Sequence, residues 1–180
     1  MAIGTELALS GCGIVQLRAK NLSKPVIRRA GTTLLTVFRN TATILIINDH
    51  VDVAAEIGAH GVHLGQTDEN LQKARERLGQ NAIIGRSTHN IEQVQRAVGA
   101  DYIGFGPVFP TQTKAITNDV VGLAMLRRAV GVSTVPVIGI GGITRQRLPA
   151  IRATGVHGWA VISEILNSEM RQEIIEQMLV

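Results

Sequence analysis

Short apolar runs rich in β-branched residues alternate with longer helical patterns along this 180-residue chain, and that alternation constrains the fold more than any other feature. The runs fall near Gly13–Leu17, Ile44–Ile47, Gly61–Leu64, Ala82–Arg86, Asp101–Phe105, Val135–Ile140 and Gly158–Ile162. Helical patterns lie between them, near Lys24–Arg39, Val51–Ile57, Asn70–Leu78, Ile91–Val98, Val121–Val130 and Arg145–Ala153. A short helix near Thr5–Ser10 opens the chain and another near Ser168–Met178 closes it. Strands that alternate with helices build βαβ units on a parallel sheet. The steps Gly58-Ala59, Gly99-Ala100 and Thr154-Gly155 recur between a helix and the next strand, where a glycine can stop the helix in the left-handed conformation.

Polar clusters follow the runs directly: Gln16–Lys20, Asn48-Asp49, Gly65–Asp68, Ser87–Asn90, Thr111–Lys114, Gly141-Gly142 and Ile162-Ser163. A parallel barrel brings such strand ends to one rim. The expected fold is therefore α/β, a (βα)8 TIM barrel. Only seven strands are read, and Met1–Gly4 is too short to supply another with its loop. The barrel is expected to lack its first β-strand, as one domain over residues 1–180 shortened at its N-terminus. The strands near Gly13 and Gly158 would then lose their common neighbour, and unpaired edges leave homo-oligomer formation open.

Composition narrows the partners. Hydrophobic residues make up 45 % and aromatics 3 %, so the core is aliphatic. The net charge is +4, but lysines and arginines are scattered and aromatics that would stack on bases are few. This pattern argues against nucleic acid and for a phosphorylated small molecule. No apolar run approaches the roughly 18 residues of a membrane span, and no signal peptide is visible. A single cysteine, Cys12, fits a reducing compartment, so the expected location is cytoplasmic and the expected role of Cys12 is packing.

Alternation along the first run puts Ile14, Gln16, Arg18 and Lys20 on one side and Val15, Leu17 and Ala19 on the other. Two cations and an amide in a row suit a phosphate or diphosphate. Asp49 and Asp68, at the ends of successive strands, are placed to share a hard cation such as Mg²⁺. Asp49 is equally placed to cap the helix near Val51, and Asp52 and Glu69 compete for both roles. Ser87 can donate to a phosphate and His89 can move a proton, or both can serve the start of the next helix. Thr111-Gln112-Thr113-Lys114 offers hydroxyls and a charge to an anion. Gly142, Ile162 and Ser163 match the phosphate pattern of the last two strands of many barrels. His63, amid apolar residues, reads as structural, while His50, His60 and His157 fall in turns.

Taken in order, Gln16–Lys20, Asn48-Asp49, Gly65-Gln66-Thr67-Asp68, Pro110–Lys114 and Ile140-Gly141-Gly142 resemble the thiamine-phosphate synthase family over almost the whole chain. The resemblance implies a transferase of thiamine biosynthesis that joins 4-amino-2-methyl-5-(diphosphooxymethyl)pyrimidine to a thiazole phosphate and releases pyrophosphate. It implies that Gln16, Leu17, Arg18, Ala19, Lys20, Asn48, Ser87 and Lys114 bind the pyrimidine diphosphate. Asp49 and Asp68 would bind Mg²⁺. Thr111, Gln112, Thr113, Gly142, Ile162 and Ser163 would bind the thiazole phosphate. Arg18, Lys20, Ser87 and Lys114 are the expected catalytic groups, in a reaction where pyrophosphate leaves before the thiazole nitrogen attacks. Ala19 stands where the family commonly has an acidic residue, and Arg86 where it is usually apolar. The alternatives are a thiazole tautomerase, for which His89 would be the acid–base group, and a non-catalytic phosphate-ligand binder or degenerate barrel.

Overall fold

The computed structural model describes residues 2–111 and 119–179. Its residues gather into two compact units: the stretch through Gly85 together with the residues from Arg171 on, and Arg86–Met170. Among the described residues no helix is long and apolar enough to cross a membrane.

The first unit opens with α1 (Ala2–Leu9) and continues as β1 (Ile14–Leu17), α2 (Lys24–Phe38), β2 (Ile44–Asn48), α3 (Val51–Ile57), β3 (Gly61–Leu64) and α4 (Leu71–Leu78). The strand β4 (Ile83–Thr88) crosses into the second unit, and α9 (Arg171–Leu179) returns to the first. Parallel pairing runs from β1 to β2 and from β2 to β3, with Gln16 level with Ile46 and Asn48 level with His63. Helix α2 starts after Ser23 with a proline in its first turn, where the missing N–H costs no hydrogen bond. Its Ile27, Gly31 and Phe38 are buried. They meet a core of Leu45, Ile47, Val53, Val62, Leu64 and Ile84. Burying one such aliphatic side chain contributes about 1.5–3 kcal/mol. Val15, Leu17 and Ala19 pack against this core, whereas Ile14 and Gln16 are exposed, as the alternation along β1 requires.

The second unit holds the end of β4, then α5 (Ile91–Gln95), β5 (Tyr102–Phe105), α6 (Gly122–Val132), β6 (Val137–Ile140), a 3₁₀ turn (Arg145–Arg147), α7 (Leu148–Arg152), β7 (Gly158–Ala160) and α8 (Ser163–Leu166). β5 pairs with β6 and β6 with β7, all parallel. Among its described residues, Ile103, Phe105, Val108, Leu126, Ala129, Val137 and Ile151 are the fully buried apolar ones.

Each unit carries the same brace, built on Gly58-Ala59-His60-Gly61 and Gly155-Val156-His157-Gly158. Both leading glycines have positive φ, 67° and 78°, and turn the chain out of a helix. The His60 N–H donates to the Leu45 carbonyl at 3.1 Å, and its Nδ1 accepts the Leu45 N–H at 3.0 Å. His157 repeats both bonds with Val137, at 3.0 and 3.1 Å. These turn histidines thus satisfy strand amides before the next strand begins.

Several expected boundaries move. The opening helix is Ala2–Leu9 rather than Thr5–Ser10, and the Ser10 hydroxyl donates to the Glu6 carbonyl at 2.7 Å at its end. The sixth strand starts at Val137 because Pro136 has no N–H to give a ladder, although its carbonyl accepts from Ile103. The last strand ends at Ala160, since Ile162 caps a four-residue helix. Arg145–Ala153 divides into the 3₁₀ turn and α7, with Pro149 in the first turn of α7. The closing helix begins at Arg171 rather than Ser168, whose hydroxyl accepts the Met170 N–H. β1 has β2 as its partner and β7 has β6, and among the described residues neither has a second neighbour.

Candidate active site

Register assembles the polar residues of the first unit. Gln16 and Leu17 are level with Ile46 and Ile47, and Asn48 with His63. The segments that follow β1, β2 and β3 therefore leave one edge of a parallel sheet whose strands lie about 4.8 Å apart. Lys20 reaches across that edge, its Nζ 3.3 Å from an Asp49 carboxylate oxygen. The backbone of Asp49 is in the left-handed region, φ 65°, and its N–H donates to the His63 carbonyl at 3.0 Å. An L-residue there is uncommon, and aspartate is among the side chains that tolerate it.

Asp68 is fixed by the tight turn from Gly65. Its N–H donates to the Gly65 carbonyl at 3.2 Å, and its Oδ2 accepts the Gly65 N–H at 2.6 Å. The carboxyls of Asp49 and Asp68 are within hydrogen-bonding reach. Burial pushes the Asp49 pKa up, the Asp68 hydrogen bond and charge push it further, and Lys20 opposes both. Two carboxylates brought together at a cost in repulsion, with an ammonium already beside one of them, fit a divalent cation. Among the described residues no cluster of three or more His, Cys, Asp or Glu forms a metal cage. Such a cation would take its remaining oxygens from water or substrate, the usual habit of Mg²⁺.

Helix capping does not account for Asp49, because His50 occupies the N-cap of α3. Asp52 is paired with Lys24 at 2.6 Å, and Glu69 faces Arg77 at 3.4 Å, so both competing acids have cationic partners. Arg18 and the Asn48 side chain make no polar contact among the described residues, and Asn48 is buried. Leu17 and Ala19 turn their side chains to the core, Leu17 is paired in β1, and the Ala19 carbonyl accepts the Leu22 N–H at 3.1 Å.

In the second unit Ser87 does not follow the strand. Ser87 and Thr88 are the last residues of β4 and are buried, with the Thr88 hydroxyl donating to the Gly104 carbonyl at 3.1 Å. Asn90 caps α5 by accepting the Gln93 N–H at 2.9 Å, and the Gln93 side chain accepts the His89 N–H at 2.7 Å. His89 Nδ1 is 2.5 Å from the Gly106 carbonyl, which can only accept, so Nδ1 carries the proton. This bond orients the His89 ring.

The glycine loop after β6 is built against the chain after β5. Val108 and Phe109 donate their N–H groups to the Ile140 and Gly141 carbonyls at 2.9 and 3.1 Å. Gly142 has φ 65°, and a Cβ there would lie 2.6 Å from the Pro110 carbonyl oxygen and 2.8 Å from the Phe109 Cβ. No larger residue fits. Thr111 follows directly and is half-buried, while Gln112, Thr113 and Lys114 lie outside the described residues. Ile162 and Ser163 are exposed at the start of α8. Arg145, Arg147 and Glu164, which the sequence reading passed over, hold this region together. Glu164 accepts from the Arg145 N–H and Nε, both at 3.2 Å, and Arg147 donates to the Gly142 carbonyl. The signal available in the sequence was their position, each within five residues of Gly142 or Ser163.

Parallel βα units that collect their polar residues at the carboxyl ends of the strands define an α/β enzyme class whose chemistry is done by loops on a fixed scaffold. Within that class the chain belongs to the thiamine monophosphate synthase family, whose model matches residues 2–165. It is 37 % identical to the thiamine-phosphate synthase of Lawsonia intracellularis over 180 residues, covering 94 % of this chain and 83 % of the relative. It is 41 % identical to that of Laribacter hongkongensis over 163 residues, covering 89 % and 77 %. The solved thiamine phosphate pyrophosphorylase from Pyrococcus furiosus superposes with a TM-score of 0.87 at 35 % identity, over 98 % of this chain and 86 % of that one.

Proposed function

We propose that this enzyme transfers the pyrimidinylmethyl group of 4-amino-2-methyl-5-(diphosphooxymethyl)pyrimidine to a thiazole phosphate, giving thiamine phosphate and pyrophosphate. The reading takes residues 1–180 as one barrel-type domain. The observation that carries it is the Lys20–Asp49–Asp68 arrangement at the strand ends of a chain from this family.

In this scheme Gln16–Lys20 and Asn48 hold the diphosphate end of the pyrimidine substrate, with Ser87 and Lys114 completing its contacts. Arg18 and Lys20 present positive charge where the departing pyrophosphate gains negative charge, an interaction that strengthens toward the transition state. Asp49 and Asp68 would hold Mg²⁺, which when bound supplies further charge to the same oxygens. Thr111–Thr113, Gly142, Ile162 and Ser163 hold the thiazole phosphate so that its nitrogen meets the electron-poor methylene carbon left by pyrophosphate. Orientation and electrostatics supply the acceleration, and no side-chain nucleophile is required.

The test is the joint requirement for Mg²⁺ and both substrates, followed through pyrophosphate release. Asp68→Asn is expected to weaken Mg²⁺-dependent binding of the pyrimidine diphosphate at least tenfold and to leave thiazole-phosphate binding within about twofold. Isomerisation of a thiazole phosphate without pyrophosphate release identifies a tautomerase instead. Binding of thiazole phosphate without turnover identifies a non-catalytic binder.

A further inference from the structure

We propose that Arg147 and the Arg145–Glu164 pair are positioning residues that hold the backbone donors of the thiazole-phosphate subsite in place. The proposal rests on the assignment of Gly142, Ile162 and Ser163 to that subsite.

Both peptide planes that flank Gly142 are pinned through their carbonyls. The Gly141 carbonyl accepts the Phe109 N–H at 3.1 Å. The Gly142 carbonyl accepts from Arg147 Nη1. In a trans peptide the N–H points opposite to the C=O, so each bond also aims the next residue's N–H. The donors thus aimed are those of Gly142 and Ile143, and neither meets a protein acceptor among the described residues. Two successive N–H groups, fixed in direction and without an acceptor among the described residues, suit the oxygens of a phosphate.

Arg147 is itself held from the other side. Its guanidinium lies 4.4 Å from the centroid of the Phe109 ring, so one side chain ties the glycine loop to the segment after β5. Arg145, two residues earlier in the same 3₁₀ turn, ties the loop to the segment after β7. Glu164 accepts from its N–H and its Nε on a single oxygen. The Glu164 side chain is 17 % exposed, which keeps this charge-assisted pair from being fully screened. Glu164 follows Ser163 directly, so the pair fixes the spacing of Ser163 from Gly142. It also neutralises a carboxylate that would otherwise repel a bound phosphate.

Steady-state kinetics with both substrates varied tests this. Arg147→Ala and Glu164→Ala are each expected to raise the KM for thiazole phosphate about tenfold, while the KM for pyrimidine diphosphate changes less than about twofold. The unaffected second KM reports an intact fold. Glu164→Gln keeps an acceptor oxygen for the Arg145 N–H and is expected to recover most of the loss; if Glu164→Ala does not fold, Arg147→Ala decides the matter. A thiazole-phosphate KM that stays unchanged in the folded alanine variants overturns the proposal, as does an equal rise in both KM values. Gly142→Ala separates the two levels. If it raises the thiazole-phosphate KM and the positioning variants do not, only the positioning roles fail. If it leaves that KM unchanged, the subsite assignment fails and this proposal with it.

Discussion

The Lys20 ammonium stands 3.3 Å from the carboxylate of Asp49, a residue whose backbone occupies the left-handed region at φ 65°. Lys20 offsets only part of the opposition to ionising Asp49, because burial and the neighbouring Asp68 together hold its pKa above the ordinary value of 3.8. A carboxyl with a raised folded pKa contributes stability that is full below the unfolded pKa and is lost as pH rises through the folded one. Asp49→Asn removes that loss, and asparagine tolerates the same backbone. In metal-free buffer the substitution is expected to raise Tm by about 2–4 °C at pH 7.5. The gain should vanish below pH 3.8, where the aspartate is protonated in both states. A lower Tm at pH 7.5 would show that the Lys20 pair outweighs the repulsion.

His157→Phe keeps a ring of similar breadth but removes the acceptor for the Val137 N–H. Val137 is fully buried, so its amide loses a partner that water cannot replace. The expected cost is about 1–3 kcal/mol, read from the urea midpoint at constant m-value. His60→Phe should behave alike through Leu45. A change within about 0.3 kcal/mol in both variants would mean that the ring bonds contribute nothing net to stability.

Arg171 joins α9 to α1 through Glu6, at 2.5 Å. The hydrogen bond from Arg171 holds the Glu6 pKa below its usual 4.5 against the opposing effect of burial, and the Arg171 charge assists. A depressed carboxylate contributes stability above its unfolded pKa and loses it as pH falls through the folded value. Amide exchange at Ile174 and Ile175 should therefore be faster in Arg171→Met than in the parent at pH 7, and the two should converge in acid below pH 4.5. Equal exchange at both pH values would separate the ion pair from the docking of α9.

Cys12 donates its thiol to the Ile14 carbonyl at 3.3 Å, and burial pushes its pKa above 9.0. Alkylation by iodoacetamide at pH 7 is expected to run slower than for a free thiol, and its rate to go on climbing with pH beyond pH 9, where a free thiol has levelled off. Labelling at the free-thiol rate at pH 7, with the same levelling-off, would show that burial does not raise the Cys12 pKa.

Strand and helix order, and the residue types at each strand end, follow from local chemistry alone. The apolar runs make the strands, although only Gly158–Ala160 of the last run does so, a proline in the first turn starts α2, and a glycine such as Gly58 stops α3. The outward row of β1 was legible too, because Gln16 and Ile14 alternate with Val15 and Leu17 at the period of a strand. The proximity of Asp49 to Asp68 could only be suggested, since it depends on the register that sets Asn48 level with His63 and on a turn closed by Asp68 itself.

What the sequence could not decide was the choice between equivalent local roles. Asp49 at a helix start reads equally as a cap or a metal ligand, and only packing of the neighbouring strands puts His50 at the cap and Lys20 beside the carboxylate. Ser87 reads as the first loop residue, yet β4 runs two residues further, with the Thr88 carbonyl accepting the Gly106 N–H at 3.2 Å, and Ser87 is buried. His60 and His157 read as turn residues, and their value lies in amides fifteen and twenty residues away. The same holds for Arg145, Arg147 and Glu164. Nothing in their immediate neighbours marks them, because a side chain that bridges loops acquires its partner only when separate βα units fold against one another.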